Sequence, residues 1–199
     1  MINHVKPSRT IGACGTLKQR FAMDRPIVRG GAMARNTRQF RCEPEGVFAV
    51  LGDGWLYPTW VVGAARMREV DQAWPGAGAK LRHSFGVWPI LTDDTTRCVQ
   101  WDPPRRAVFI ARGWPMGEAR VAFGVEPSAS GCLVTIEEAA IHGPVALVPR
   151  PIMNRLLRWR NAEVLRRLAY IAEGNGGADR GGSSGAGNGG DGRRLTASP

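Results

Sequence analysis

Two residues in this sequence combine titratable chemistry with apolar company. In residues 80–88, KLRHSFGVW, strand parity puts Leu81, His83, Phe85 and Val87 on one face and Lys80, Arg82 and Ser84 on the other. The first set is expected to face the interior, so His83 falls among apolar side chains. In residues 132–138 the set Cys132, Val134 and Ile136 carries Glu138 on the same face. An imidazole and a carboxylate in one apolar pocket are enough for acid and base work: one removes an acidic proton and the other protonates an alkoxide, as an aldol-type cyclisation requires. If the protein is an enzyme, His83 and Glu138 are its candidate catalytic residues. Both also have plainer fates. His83 reads first as a core or rim histidine tied to one partner, and otherwise as a pocket group that orients a ligand oxygen. Glu138 is either a strand-end residue at a pocket mouth or a cavity carboxylate, and in the second case an arginine such as Arg112, which shares parity with Val108 and Ile110, would neutralise it.

Asn161 is a polar residue in the middle of an apolar helical stripe, and a buried amide must find partners or face a wet cavity. Tyr57, Trp60, Trp74, Trp88 and Trp114 stand near loops or strand ends, where rings either roof an opening or fill a core edge. The candidate ligand-binding set is therefore Tyr57, Trp60, His83, Phe85, Arg112, Glu138 and Asn161. Metal chemistry is not expected. His4, His83 and His142 are scattered, no HxxxH occurs, and Cys14, Cys42, Cys98 and Cys132 form no CxxC or Cys/His cluster. Free buried thiols in a reducing compartment are the expectation for these cysteines, and no metal or other cofactor is implied.

The elements that must hold these groups can be traced by period. Thr37 to Cys42 suit a first strand. Glu43-Pro44-Glu45 then open a helix ended by Gly52 and Gly54, and residues 55–64 give a second short helix near Pro58. From Arg66 the period shifts toward two: strands are expected over residues 66–72, 80–88, 94–101, 107–111, 119–125 and 132–138, the pattern of an antiparallel meander. Pro151 opens a long helix running to about Glu173. Met153, Leu157, Asn161, Val164, Leu168 and Ile171 line one side of it, with Arg155, Arg158 and Arg166 on the other. Such a stripe needs a partner, and the sheet is the one available.

A formal charge of +10 resembles a nucleic-acid signal until it is divided along the chain: residues 1–32 hold six Lys/Arg against one acid, whereas residues 33–149 hold twelve of each. No basic field covers the body, so no nucleic-acid partner is expected. The Arg-rich outer face of the last helix reads as solvated surface, with a transient contact with a lipid surface left open, Trp159 being its apolar candidate. No apolar run is long enough for a transmembrane helix and the basic N-terminus has no signal-peptide core, so a cytoplasmic protein is the default. Residues 1–32 read as a poorly structured extension, which lies either on the domain's flank or upstream of a true start at Met33. Residues 33–174 read as one domain, and residues 175–199 as a disordered Gly-rich tail.

The segments VFAVLGDGWLYPTWVVGA, GAKLRHSFGVWP, TRCVQWDPPRR and RNAEVLRRLA, set in the order strand, two short helices, six strands and long helix, make residues 36–173 resemble the START-like (SRPBCC) superfamily. The chain is most similar to its bacterial branch of polyketide cyclase, dehydrase and lipid-transport-like proteins. The resemblance implies an α+β helix-grip fold, a curved antiparallel sheet wrapped around the long C-terminal helix with a cavity between them. It also implies a range of activities, since relatives include hydrophobic-ligand carriers, aromatic cyclases, hydroxylase subunits and chaperone cofactors, with no invariant catalytic motif. The CxH and CxxH pairs of a Rieske centre are absent here. The leading expectation is non-covalent binding of an apolar or aromatic small molecule in that cavity. A cofactor-independent polyketide cyclase or dehydratase is the enzymatic alternative, and a regulatory or toxin-like interaction module is the third. Oligomeric state is not legible.

Overall fold

The computed structural model describes residues 33–87, 89–113, 117–142 and 149–181. Expectations for residues 1–32, for Trp88 and Trp114, and for the tail from residue 182 lie outside the described residues. Seven strands form one antiparallel sheet in the order β1-β7-β6-β5-β4-β3-β2. They are β1 (Met33–Phe40), β2 (Ala64–Val70), β3 (Lys80–Val87), β4 (Ile90–Asp102), β5 (Arg106–Gly113), β6 (Gly117–Ser128) and β7 (Gly131–His142). Each of β2 to β7 pairs with its sequence neighbour, and β1 returns to pair with β7, Phe40 opposite Cys132. Between β1 and β2 the chain makes α1 (Pro44–Gly52), a 3-10 turn (Gly54–Leu56) and the single-turn helix α2 (Tyr57–Trp60). Pro44 sits at the start of α1, where its missing N–H costs nothing, with Glu45 in the positively polarised first turn. The Asp53 carboxylate accepts from Trp55 N at 2.9 Å and starts the 3-10 turn.

The strands are longer than the apolar alternation suggests. β4 begins at Ile90, before the Thr92-Asp93-Asp94 stretch whose polarity hides it, because hairpin pairing with β3 continues through Ser84 opposite Asp93 and His83 opposite Asp94. Pairing of β4 with β5 skips a residue between Cys98 and Gln100, and pairing of β6 with β7 shifts beside Glu118 and Ala119. Such irregularities sharpen the bend of a sheet.

The long helix α3 (Arg150–Gly181) lies against β1, β7, α1 and α2. Met153, Leu157, Asn161, Val164 and Leu168 are all buried, the stripe its spacing describes, and Leu165, Ala169 and Ala172 widen it. The core gathers Phe40, Phe48, Leu51, Phe109, Phe123 and Ile136 between sheet and helices. The helix is pinned near its far end, where Glu173 Oε1 accepts from Arg41 N at 2.9 Å. This is the helix-grip arrangement, a curved sheet around a C-terminal helix.

Candidate functional site

A cavity of about 160 Å³ opens between the inner face of the sheet and the first half of α3. Its walls are mainly apolar: Val61 after α2, Phe85 on β3, Ala111 on β5, Ala119 on β6, and Met153, Leu156 and Leu157 on α3. Phe85 owes its place partly to Gly63. That glycine has φ +98° and lies so close to the ring that a Cβ there would sit 2.5 Å from Phe85 carbons. Polar groups join this wall as Tyr57 and His83, as the Glu138–Arg160 pair, and as Arg112 and Glu118.

Tyr57 and His83 meet at Thr96. Tyr57 Oη lies 2.7 Å from Thr96 Oγ1, and His83 Nε2 lies 3.0 Å from the same oxygen. The two rings are 4.9 Å apart, tilted by 31°. A threonine hydroxyl has one proton to give and can accept two, so besides an arrangement in which both neighbours donate to Thr96 there are two orders in which Thr96 itself donates within the chain. In one, Tyr57 donates to Thr96 and Thr96 donates to Nε2. In the other, Nε2–H donates to Thr96 and Thr96 donates to Tyr57, whose own proton is then free for a ligand. Burial pushes the Tyr57 hydroxyl up to about 12, so it stays a phenol. Burial also lowers His83 to about 4, against a small opposing effect from the Ser84 backbone, so the imidazole is neutral at pH 7.

Glu138 is 2% exposed, and Arg160, whose side chain is 28% exposed, donates from Nη2 to its Oε1 at 2.9 Å. Burial raises the Glu138 pKa, while Arg160 and then the nearby Asn161 amide pull it back. The Asn161 contact falls short of hydrogen-bond geometry: Glu138 Oε2 and both amide heteroatoms of Asn161 have no hydrogen-bond partner among the described residues.

The cavity therefore brings together Tyr57, His83, Phe85, Arg112 and Glu138, and leaves two of the candidates outside its wall. Trp60 is buried behind Tyr57, edge-on to it at 5.2 Å and to Phe123 at 5.8 Å. Asn161 is fully buried beside Glu138. Arg112 stands at the rim, exposed and opposite Glu118, because Ala107, Phe109 and Ala111 are the core-facing set of β5 and Arg112 belongs to the alternate one. The cation that meets Glu138 is Arg160. Sequence reasoning passed over both Arg160 and Thr96. Thr96 shares the parity of the buried Cys98, which was the available signal; Arg160 lies on the margin of the apolar stripe, where helical spacing alone assigns it to neither face. Cys42, Cys98 and Cys132 are buried free thiols away from the cavity, and among the described residues no three His, Cys, Asp or Glu side chains converge to hold a metal.

The His83 environment predicts a pH effect. A base whose pKa is lower in the folded state contributes stability above its unfolded value that is lost as pH falls through the folded value. Here that window runs from the ordinary histidine value of 6.5 down to about 4. Urea unfolding at pH 7 and at about pH 4.5 is expected to show a His83-dependent loss of up to ~2–3 kcal/mol. The His83→Gln protein should lack that part of the slope. Identical pH slopes in both proteins would remove the burial account of His83.

The fold is matched by known proteins. The family model described as "Polyketide cyclase / dehydrase and lipid transport" matches residues 32–173. No curated protein sequence gives a significant match. Among solved structures, the di-domain ARO/CYC StfQ from the steffimycin biosynthetic pathway superposes with a TM-score of 0.60 at 13% identity, covering 73% of this chain and 52% of that one. Protein CV1439 from Chromobacterium violaceum gives 0.54 at 19% identity, covering 71% of this chain and 98% of its own. TTHA0849 from Thermus thermophilus gives 0.56 at 16%, with coverage of 72% and 98%. At these identities the structures share the fold alone. The family model is the stronger finding, because it takes in all seven strands and most of the helix that together enclose the cavity, and the chain belongs to the polyketide cyclase/dehydrase and lipid-transport family.

Proposed function

We propose that the protein binds a small apolar or aromatic molecule non-covalently in the cavity under α3, with Tyr57 and the Glu138–Arg160 pair orienting a ligand oxygen. The observation that carries this reading is the composition of the wall: aliphatic and aromatic side chains, with a few converging polar groups, among them Glu138, whose buried Oε2 has no hydrogen-bond partner among the described residues. Size narrows the ligand. A cavity of about 160 Å³ is close to the ~150 Å³ space that accepts benzene and below the ~300–1,000 Å³ of sites for drug-sized ligands, so it suits a single ring better than an extended polyketide.

The enzymatic reading shares its fold with the aromatase/cyclase StfQ and uses the same pocket. Two features weigh against it. His83 at about 4 is a weak base, and Glu138 is held by a guanidinium. Native mass spectrometry of the purified protein tests the binding reading directly: a small molecule that leaves on denaturation is the expected result. Incubated with many equivalents of that compound, the wild type should return it chemically unchanged. His83→Gln should alter affinity by no more than about tenfold, the equivalent of one neutral hydrogen bond. Conversion of the compound, lost by ~100-fold or more in His83→Gln, would establish the cyclase instead.

A further inference from the structure

The first half of α3 carries a second apolar surface, distinct from the stripe that packs on the sheet. Ile152, Leu156 and Trp159 are 60%, 50% and 67% exposed. Their spacing of four and three residues places them within roughly 60° of one another around the helix axis, on one face. Leu156 also lines the cavity, so this face is continuous with the cavity wall. The buried Met153 and Leu157 adjoin it on one flank and Arg155 and Arg158 on the other, both exposed. Among the described residues neither arginine has a carboxylate within 4.0 Å, although Arg35, Arg166 and Arg167 all do. From residue 150 to residue 174 the helix holds six Arg against two Glu.

We propose that this face docks on an anionic lipid surface, with Ile152, Leu156 and Trp159 entering the headgroup boundary and Arg155 and Arg158 meeting lipid phosphates. A narrow aliphatic and tryptophan stripe beside unpaired arginines is the chemistry of an interfacial helix. Each arginine adds attraction that a neutral surface does not supply. A second copy of the chain is the poorer occupant, because a two-fold contact through this face would bring the same unpaired arginines toward one another. Docking in this pose sets the cavity wall at the membrane boundary, where an apolar ligand would pass between bilayer and protein without crossing water. That last consequence rests on the ligand-binding reading; the docking itself does not.

Vesicle flotation with the full chain tests it. The protein is expected to float with phosphatidylcholine vesicles containing about 30% phosphatidylglycerol, and to do so far less with phosphatidylcholine alone or at about 0.5 M salt. Ile152→Ser with Trp159→Ser, at positions outside the cavity wall, should weaken flotation at least ~10-fold with unchanged melting and unchanged ligand occupancy in native mass spectrometry. Arg155→Gln with Arg158→Gln should weaken binding to the anionic vesicles by ~10-fold to 30-fold and leave the neutral ones unaffected. Wild-type flotation that the Ile152/Trp159 substitutions leave intact would assign it to the basic residues 1–32 and overturn the proposal. So would absence of flotation, or sedimentation showing a dimer that the same substitutions dissolve. Loss of flotation with retained ligand would separate this surface from the cavity, whatever the cavity proves to hold.

Discussion

A chain ending at Val164 is expected to give no cooperative unfolding transition, whereas one ending at Gly181 is expected to melt within about 2 °C of the full protein. The difference lies in what the second half of α3 buries. Leu165 and Leu168 are enclosed in the core, at roughly 1.5–3 kcal/mol each, and Ala169 and Ala172 are buried in the same cluster. An added Cβ on Gly46 would be in ordinary contact with the Ala172 carbonyl oxygen, 3.7 Å away, so the two helices pack against each other there. The same cut removes Glu173, which tethers Arg41 N at the end of β1. The summed loss, about 5–8 kcal/mol with the tether included, is comparable to the ~5–15 kcal/mol net stability of a domain this size. It also leaves the concave side of the sheet uncovered. Circular dichroism and urea titration of the shortened chain make the check. A single sigmoidal transition near the wild-type midpoint would mean that the sheet holds itself together without its helix, contrary to the packing described above.

The helix and the sheet were legible because each buries a regular pattern. Met153, Leu157, Val164 and Leu168 follow the helical period, with Asn161 its one polar member, and Leu81, His83 and Phe85 follow the strand period, so one rule places them all. The site was legible only where that rule reached it. His83 and Glu138 were found because they interrupt apolar sets on inward faces, and both reach the cavity. Thr96 and Asp94 share the inward face of Cys98, but two polar residues within three positions read as a solvent face, and burial in a polar pocket does not alter hydropathy. The partner of Glu138 was hidden for another reason. Parity relates residues within one strand and is silent about which helix crosses above it, so a choice between Arg112 and Arg160 needs the docking angle of α3, a property of the packed core. Ile152 and Leu156 each stand one residue before a member of the buried stripe, a rotation of about 100° around the helix, and only the position of the sheet's rim decides that they stay largely exposed.

The ion pair beneath that rim should dominate the energetics of the cavity. Arg160→Met keeps most of the side chain's aliphatic stem and removes its charge, leaving Glu138 buried without its cation. Breaking one side of a buried pair costs ~3–5 kcal/mol when the remaining charge must stay ionised. Glu138 has an escape, which is to take up a proton. A carboxyl whose pKa is raised in the folded state contributes stability that is fully present below its unfolded value, near 4.5, and lost as pH rises through the folded value. In the wild type Arg160 opposes that rise; in Arg160→Met burial is opposed only by the Asn161 amide, so the folded value moves further up. The cost of the substitution is therefore expected to be ~3–5 kcal/mol at about pH 8 and to shrink to ~1–2 kcal/mol at about pH 5. The His83 titration is common to both proteins and cancels in the difference. Combining the change with Glu138→Gln should recover most of the loss at pH 8, because a neutral amide needs no counter-charge. Urea midpoints of the four proteins of this cycle at the two pH values supply the measurement. A penalty equal at both pH values, or one that Glu138→Gln fails to relieve, would show that the loss does not come from an uncompensated Glu138 charge, and the electrostatic account of the pair would fall.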